Sequence, residues 1–402
     1  MSFFDNRRWK NIEYFLPIIV IVISLIGLLA ILIATTTPFS KQELSFDQII
    51  ANLNFEMVLR QAKWLVIALA VMIGMMFISY RFYSKIWYLI LFVSLALLAY
   101  IAFFGKTYGG TKGWINLTAD GSVTFQPSEI IKIAMILICA KFLTCRPMER
   151  FRDLLPALLC FAAILLVLLA QMDIGTTIVY VIVFAGMMFV SGVKLRYLFL
   201  MGGAFAAGFT ALWFFMGPEQ QSRIINYLNG GGDVLQLKNS LIAIGSGQVL
   251  GKGLFNLGTM GQLTFTTIPV IETDFIFAVI GETFGFLGCF FVLALYMLLV
   301  WRMWHLMRTT KDPYGSVITG GIMFMFAFHV FENIGMLIGI MPITGIPLPF
   351  ISSGGTNLLT NMIAIGIILS IRFYRELPSE SESARTRALL GKERSRALFK
   401  GK

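Results

Sequence analysis

Runs of apolar residues, separated by shorter polar or charged segments, recur along almost the whole chain. An α-helix needs about 20 apolar residues to cross a hydrocarbon core about 30 Å thick, and ten runs approach or exceed this length. They lie near 15–36, 64–80, 86–104, 128–144, 154–171, 175–192, 197–216, 275–301, 315–340 and 358–373. The pattern predicts an all-α, polytopic membrane protein with about ten transmembrane helices and a large extracytoplasmic loop before the eighth.

The composition supports this class, since 57% hydrophobic and 13% charged residues could not be accommodated in one water-facing globule. We expect a ten-span membrane domain over residues 1–373, which includes the large loop at 217–274, and a basic tail over 374–402. The four cysteines fall in spans or at their cytoplasmic ends, where no structural disulfide is expected.

The distribution of Lys and Arg predicts the orientation, because these residues accumulate on the cytoplasmic side of a membrane. If the N-terminus is inside, most of the 32 basic residues fall on that side. We therefore expect both termini in the cytoplasm and residues 217–274 outside, with an amphipathic stretch at 234–244 along the outer interface. The same distribution explains the net charge of +11 by topology rather than by nucleic-acid binding.

Ionisable residues inside the apolar runs are few, and most lie near the predicted outer ends. Glu129 and Lys132 are three residues apart, so they share a helix face and can pair. The pair either neutralises itself in an apolar setting or positions a polar cavity. Pro127 and Ser128, just before it, suit the start of a helix.

Four further polar residues lie at or in the last apolar runs. Asp274, where the long loop ends, is either a helix N-cap or a carboxylate for chemistry at the membrane surface. Glu282 is interpreted as a structural carboxylate that has a partner. His329 and Glu332 are interpreted as packing polar groups, and their spacing gives no metal signature.

Several segments together resemble the SEDS (shape, elongation, division and sporulation) family of membrane proteins, and most closely its RodA elongation branch. They are Gln-Pro-Ser-Glu-Ile-Ile-Lys at 126–132, Gln-Met-Asp-Ile-Gly-Thr at 171–176, the glycine-rich stretch at 245–253, Thr-Asp-Phe-Ile-Phe at 273–277, Asn-Ile-Gly-Met at 333–336 and Pro-Ile-Thr-Gly-Ile-Pro-Leu-Pro-Phe-Ile-Ser at 342–352.

The resemblance implies a peptidoglycan glycosyltransferase that polymerises lipid II at the outer face of the bacterial cytoplasmic membrane, for cell elongation and shape. It implies Asp274 as the general base on the acceptor sugar hydroxyl. It also implies a membrane partner, a class B penicillin-binding protein that acts as transpeptidase, and lipid II and undecaprenyl-linked glycan as ligands. Residues expected to support the site or bind substrate are Glu129, Lys132, Asp173, Arg223, Lys252, Ser352, Gly354 and Gly355.

Two questions stay open at this stage. Lys132, Arg60, Lys63, Arg223 or a divalent cation such as magnesium or manganese could stabilise the leaving diphosphate, and the sequence does not choose among them. The alternative functions are a lipid II flippase and a non-catalytic scaffold of the cell-wall synthesis complex. A flippase needs a polar route through the membrane, and a scaffold needs no carboxylate at the loop mouth.

Overall fold

The computed structural model is built almost entirely of α-helices, and it describes residues 12–35, 55–108, 111–116, 124–171, 173–215, 221–222, 225, 235–254 and 271–375. The helices are α1 (Phe15–Thr35), α2 (Phe55–Phe77), α3 (Tyr80–Lys85), α4 (Trp87–Phe104), α5 (Pro127–Thr144), α6 (Phe151–Ala170), α7 (Ile174–Val190), α8 (Leu195–Leu212), α9 (Leu235–Ser246), α10 (Ile276–Thr309), α11 (Pro313–Leu337) and α12 (Gly355–Phe373).

Each predicted span coincides with one of these helices. Within the described residues, seven helices are long and apolar enough to cross a membrane, namely α1, α2, α4, α6, α10, α11 and α12. Helices α7 and α8 contain shorter apolar stretches, and α5 carries Glu129, Lys132 and Lys141 within its 18 residues. The predicted class, an all-α polytopic membrane protein, is confirmed.

Two helix boundaries differ from the predictions because hydropathy does not follow the hydrogen-bonded helix. Helix α2 begins at Phe55 rather than near residue 64, and its first turns are polar. There Arg60 lies 3.3 Å from Glu56, an i,i+4 pair that suits a helix. Helix α10 continues to Thr309 rather than ending near residue 301.

The helices differ in how much of their surface is enclosed by the protein. In the most apolar window of α12, 78% of the residues are buried, against 17% in α4. Helix α5 is also buried along most of its length, and α11 packs against α5, α7 and α10. Helices α5, α11 and α12 therefore form the centre of the molecule, where polar side chains need protein partners.

Helix α10 contains a break at Gly285, whose φ of 63° and ψ of −158° are not helical. A Cβ atom at this position would lie 2.4 Å from the backbone nitrogen of Gly251, so the break needs glycine. The loop after α9 fills the gap in the hydrogen-bond ladder. Its four bonds join Phe286 N to Gln248 O (2.8 Å), Leu287 N to Val249 O (3.2 Å), Lys252 N to Glu282 O (3.0 Å) and Gly253 N to Thr283 O (3.0 Å).

Other parts of the predicted loops have regular structure. Strands β1 (Lys106–Tyr108), β2 (Thr111–Asn116) and β3 (Thr124–Phe125) form an antiparallel sheet that leads into α5, and no strand was predicted there. The amphipathic stretch at 234–244 forms α9, which packs on α10 and donates from Ser240 Oγ to Leu337 O at 3.1 Å. All four cysteines are free thiols.

Candidate active site

Asp274 lies in the turn at 271–275 that leads into α10. The N-cap residue of α10 is Phe275, and its side chain makes no capping bond. This boundary disagrees with the interpretation of Asp274 as the helix N-cap. Asp274 lies one residue before this N-cap.

The side chain of Asn333 fixes the main chain at Asp274. Its Nδ2 donates to Asp274 O at 2.9 Å and to Ile346 O at 2.8 Å, so α11 joins the Asp274 turn to the loop at 342–354. Asn333 is completely buried. In the sequence Asn333 is visible only as part of the motif at 333–336, although an amide in a buried apolar helix is itself a signal for a specific polar contact.

Ser352 joins the same loop to the residues before Asp274. Its Oγ donates to Thr273 O at 2.6 Å and accepts from Leu348 N at 2.8 Å. One residue on, Ser353 N donates to Glu272 O at 2.9 Å. The predicted site residue Ser352 thus anchors the main chain on the N-terminal side of Asp274.

Glycines shape the loop around Asp274. Gly345 has a φ of 73°, and a Cβ atom there would lie 3.3 Å from Asp274 Oδ2. At the far end of the loop, Gly354 N donates to Gln61 Oε1 at 3.2 Å. A Cβ atom on Gly355 would lie only 2.3 Å from the ring of Trp64. Gly354 and Gly355 therefore allow the loop to pack closely against α2.

A buried ionic contact lies beside this loop. Lys132 Nζ is 2.9 Å from Glu129 Oε1, which confirms the predicted pairing, and 2.9 Å from His329 Nε2. His329, interpreted as a packing polar group, thus has a polar partner on another helix. A lysine ammonium only donates, so a hydrogen bond from it to His329 Nε2 requires the tautomer that carries the hydrogen on Nδ1. The Lys132 side chain is only 2% exposed.

Glu332 completes what we call the Lys132 cluster, which comprises Glu129, Lys132, His329, Glu332 and Thr344. Glu332 is completely buried, close to the charge of Lys132 and to the Thr344 hydroxyl. Within the described residues, neither its carboxylate oxygens nor that hydroxyl has a hydrogen-bond partner of good geometry. Asn333 and Gly345 both approach Asp274. Because Glu332 directly precedes Asn333 and Thr344 directly precedes Gly345, the cluster adjoins the Asp274 turn.

Asp173 lies at the start of α7, on another side of the cluster. Its Oδ1 accepts from Thr176 N at 3.0 Å, and its Oδ2 accepts from Gln126 Nε2 at 3.3 Å. Burial raises the pKa of its carboxyl above the usual range, although the bond from the Thr176 amide acts in the opposite direction. A Cβ atom on Gly175 would lie 3.1 Å from Thr344 Cβ, so this helix start touches the loop that carries Gly345.

Of the remaining predicted site residues, the structure describes Lys252, which does not join this group. Lys252 Nζ lies 2.7 Å from Glu282 Oε1, at the break in α10, so Glu282 has the partner that its interpretation as a structural carboxylate predicts. Arg223 lies outside the described residues. In the part of the chain that the structure describes, no group of three or more His, Cys, Asp or Glu side chains could hold a metal ion.

Comparison with known proteins identifies the family. The family model described as "Cell cycle protein", which covers FtsW, RodA and SpoVE, matches residues 14–377. The chain belongs to this family. A FtsW/RodA/SpoVE relative, the peptidoglycan glycosyltransferase MrdB of Escherichia coli K12, is 36% identical over 335 residues, which cover 80% of this chain and 87% of MrdB. The stage V sporulation protein E of Bacillus subtilis is 35% identical over 316 residues, which cover 77% and 84%.

Solved FtsW/RodA/SpoVE structures have the same fold. The Thermus thermophilus rod shape determining protein RodA is 25% identical, with a TM-score of 0.67, over 91% of this chain and 98% of that one. A chain from a study of how a peptidoglycan synthase complex coordinates polymerization and crosslinking is 26% identical, with a TM-score of 0.73, over 91% and 99%.

Proposed function

We propose that this protein is a peptidoglycan glycosyltransferase that polymerises lipid II into glycan strands, with Asp274 as the general base. The observation that supports the role of Asp274 most directly is the double anchorage of its main chain by Asn333 and Ser352. A general base must be held within hydrogen-bond reach of the proton that it removes. The peptidoglycan glycosyltransferases among the relatives support the substrate class.

In this reaction the 4-hydroxyl oxygen of one sugar forms a bond to the anomeric carbon of another. The bond from that carbon to the diphosphate oxygen breaks, and the lipid diphosphate leaves with the electron pair. The Asp274 carboxylate takes the hydroxyl proton, as the base of an inverting glycosidase takes a proton from water. Because diphosphate is a good leaving group, no general acid is required.

Within the site, the Lys132 cluster supplies rigidity. Lys132 is already bound by Glu129 and His329, and the Glu129 carboxylate offsets its charge, so it contributes little direct stabilisation to the leaving diphosphate. Arg60 on the polar start of α2 is about half exposed and is a better candidate for direct contact. A bound divalent cation would add positive charge to the diphosphate.

The proposal includes orientation and assembly. Residues 1–373 form a ten-span domain with both termini and the tail at 374–402 in the cytoplasm, and Asp274 faces outward. A class B penicillin-binding protein cross-links the product, by analogy with the synthase complex of the structural neighbour. Cysteine labelling at position 238 from each side of the membrane tests the orientation, and labelling only from the cytoplasm would reverse it.

The decisive experiment supplies lipid II in detergent to the purified complex with its transpeptidase blocked. We expect Asp274→Asn to fold normally and to lose at least about 100-fold in polymerisation, the scale for a lost general base. Asp312→Asn is the matched control, because Asp312 caps α11 through a bond from Gly315 N at 3.2 Å, which asparagine can also accept. Polymerisation by Asp274→Asn at the control rate would exclude Asp274 from the chemistry.

The same assay separates the alternatives. A flippase moves lipid II between leaflets, and therefore gives no glycan strands in detergent, where there are no leaflets. A scaffold gives none under any condition. Strands formed by the wild-type complex but lost with Asp274→Asn would exclude both alternatives, since the transpeptidase is blocked in each sample.

A further inference from the structure

A cluster of guanidinium groups lies away from Asp274, near the start of α1, the end of α12 and the part of α10 that carries Arg302. We call it the arginine cluster, and it comprises Arg302, Arg372 and Arg375 around Glu13. Its members come from three separate parts of the sequence. Their proximity is therefore a property of the fold rather than of a local charge run.

Arg302 uses the whole carboxylate of Glu13. Arg302 Nε is 2.9 Å from Glu13 Oε1, and one of its terminal nitrogens is 2.6 Å from Oε2. The guanidinium also lies over the ring of Phe15, at 5.6 Å from the ring centroid. The Glu13 side chain is only 4% exposed, so this two-bond contact neutralises one arginine and leaves little of the carboxylate for another.

Arg372 is left with buried donors. It lies in the last turn of α12, close to the charges of Arg375, Glu13 and Arg302. Within the described residues, its Nε and Nη1 are buried and have no hydrogen-bond partner. A buried donor without a partner costs about 1–3 kcal/mol, and more when it is charged. Among the described residues, Arg302 and Arg372 lie near the single Glu13 carboxylate and Arg375 lies near Arg372, so the described groups carry more positive than negative charge and suit an anion.

The surroundings indicate which anion. Tyr14, Trp301 and Trp304 are exposed close to the cluster in sequence, and exposed Tyr and Trp side chains are typical of the headgroup level of a membrane. Exposed apolar residues, including Ile18 on α1 and Met297 on α10, continue from this level along the helices. The site thus combines positive charge, which suits a lipid headgroup, with an exposed apolar surface, which suits acyl chains.

We propose that Arg372 and Arg375, next to the Glu13–Arg302 pair, bind the phosphate of an anionic phospholipid headgroup. The planar guanidinium fork matches two phosphate oxygens at once. Basic pockets between membrane helices are known to suit such headgroups. Free phosphate shares this chemistry, but it lacks the acyl chains that the apolar surface would contact.

The test measures lipid retention by the purified full-length chain with native mass spectrometry, after exchange into phosphatidylglycerol or phosphatidylethanolamine. We expect the wild type to retain phosphatidylglycerol preferentially. The double variant Arg372→Gln, Arg375→Gln should lose about tenfold in phosphatidylglycerol affinity. It keeps the Glu13–Arg302 contact, so its fold should survive, and thermal unfolding checks this.

Arg308→Gln is the matched control, since Arg308 is exposed on the same helix as Arg302 and its Cζ lies 5.7 Å from the centroid of the Trp304 ring. It removes one positive charge without touching the arginine cluster, and it should retain the lipid like the wild type. An equal loss of phosphatidylglycerol affinity in Arg308→Gln would show that the effect depends only on overall positive charge. Unchanged phosphatidylglycerol retention by the double variant would contradict the proposed site. Displacement of the lipid by millimolar inorganic phosphate would assign the site to a soluble anion instead.

Discussion

In the part of the chain that the structure describes, two regions contain a lysine–glutamate pair, and the two pairs differ in sequence separation and in burial. Glu129 and Lys132 are three residues apart on α5, and His329 from α11 joins them. Lys252 and Glu282 are 30 residues apart and join a loop to α10 at its break. Lys252 is 18% exposed, whereas Lys132 is 2% exposed.

The difference separates a pair that lies beside the candidate active site from a pair that holds a loop against a helix. The Lys132 pair sits in a cluster that adjoins Asp274 and contains a further carboxylate, Glu332. The Lys252 pair accompanies two backbone bonds from Lys252 and Gly253 to α10, so it reinforces a contact that the main chain already makes. We therefore expect damage to the first pair to impair both folding and polymerisation, and damage to the second to impair mainly folding.

The largest effect should come from Lys132→Met, which leaves Glu129 as a buried charge without its partner. Breaking such a pair typically costs about 3–5 kcal/mol of stability. The double variant Glu129→Gln, Lys132→Met should lose less than the sum of the single variants, because neither charge is left alone. Thermal unfolding of all four proteins in detergent measures the coupling, and strictly additive losses would contradict a coupled pair.

Asn333→Asp should have the next largest effect. The carboxylate cannot donate to Asp274 O or Ile346 O, so two buried bonds are replaced by repulsion between oxygens. We expect a loss of about 2–3 kcal/mol in stability and, because Asp274 is less well fixed, a fall of at least about tenfold in polymerisation per folded molecule.

Asn361→Asp is a matched control for this substitution. Asn361 is also a buried asparagine, but its amide donates to Asn357 Oδ1 at 2.9 Å within α12. It should lose stability while its folded fraction polymerises normally. Equal losses of polymerisation in the two variants would show that Asn333 has no specific role in positioning Asp274.

Lys252→Met tests the second region. It leaves Glu282 without its charged partner. A hydrogen bond to a charged group contributes about 1.5–3 kcal/mol to stability, and we expect a loss near the lower end because the Lys252 side chain is partly exposed. Polymerisation per folded molecule should stay within about twofold of the wild type. This limit corresponds to a loss of at most about 0.4 kcal/mol in transition-state stabilisation. A folded Lys252→Met variant without activity would instead support its predicted role in substrate binding.

The smallest effect should come from His329→Gln. The glutamine oxygen can accept from Lys132 as the imidazole does, so we expect a change of less than about 1 kcal/mol in stability and nearly normal polymerisation. His329→Leu removes the acceptor and should cost more than His329→Gln in the same unfolding assay. A large loss in His329→Gln, with His329→Leu no worse, would mean that hydrogen bonding to Lys132 is not what His329 contributes.

Contacts between residues that are close in the sequence could be predicted, whereas contacts between distant segments could not. Apolar runs and the i,i+3 spacing of Glu129 and Lys132 are local patterns, so the spans and the first pair were predicted. The Lys252–Glu282 pair, the His329 contact and the Asn333 bonds join distant segments, and no spacing in the sequence reveals them. The Gly285 break was also missed, because glycine is common in membrane helices and only the approach of Gly251 explains it here.

The break in α10 also has a consequence for biogenesis. A helix that enters lipid with unsatisfied backbone groups incurs several kcal/mol for each of them, and α10 depends on residues 248–253 for four bonds. The ribosome makes this loop before it makes α10. The missing hydrogen-bond partners are thus already synthesised when the helix reaches the membrane, and the order of the two segments along the chain matches the order in which they are needed.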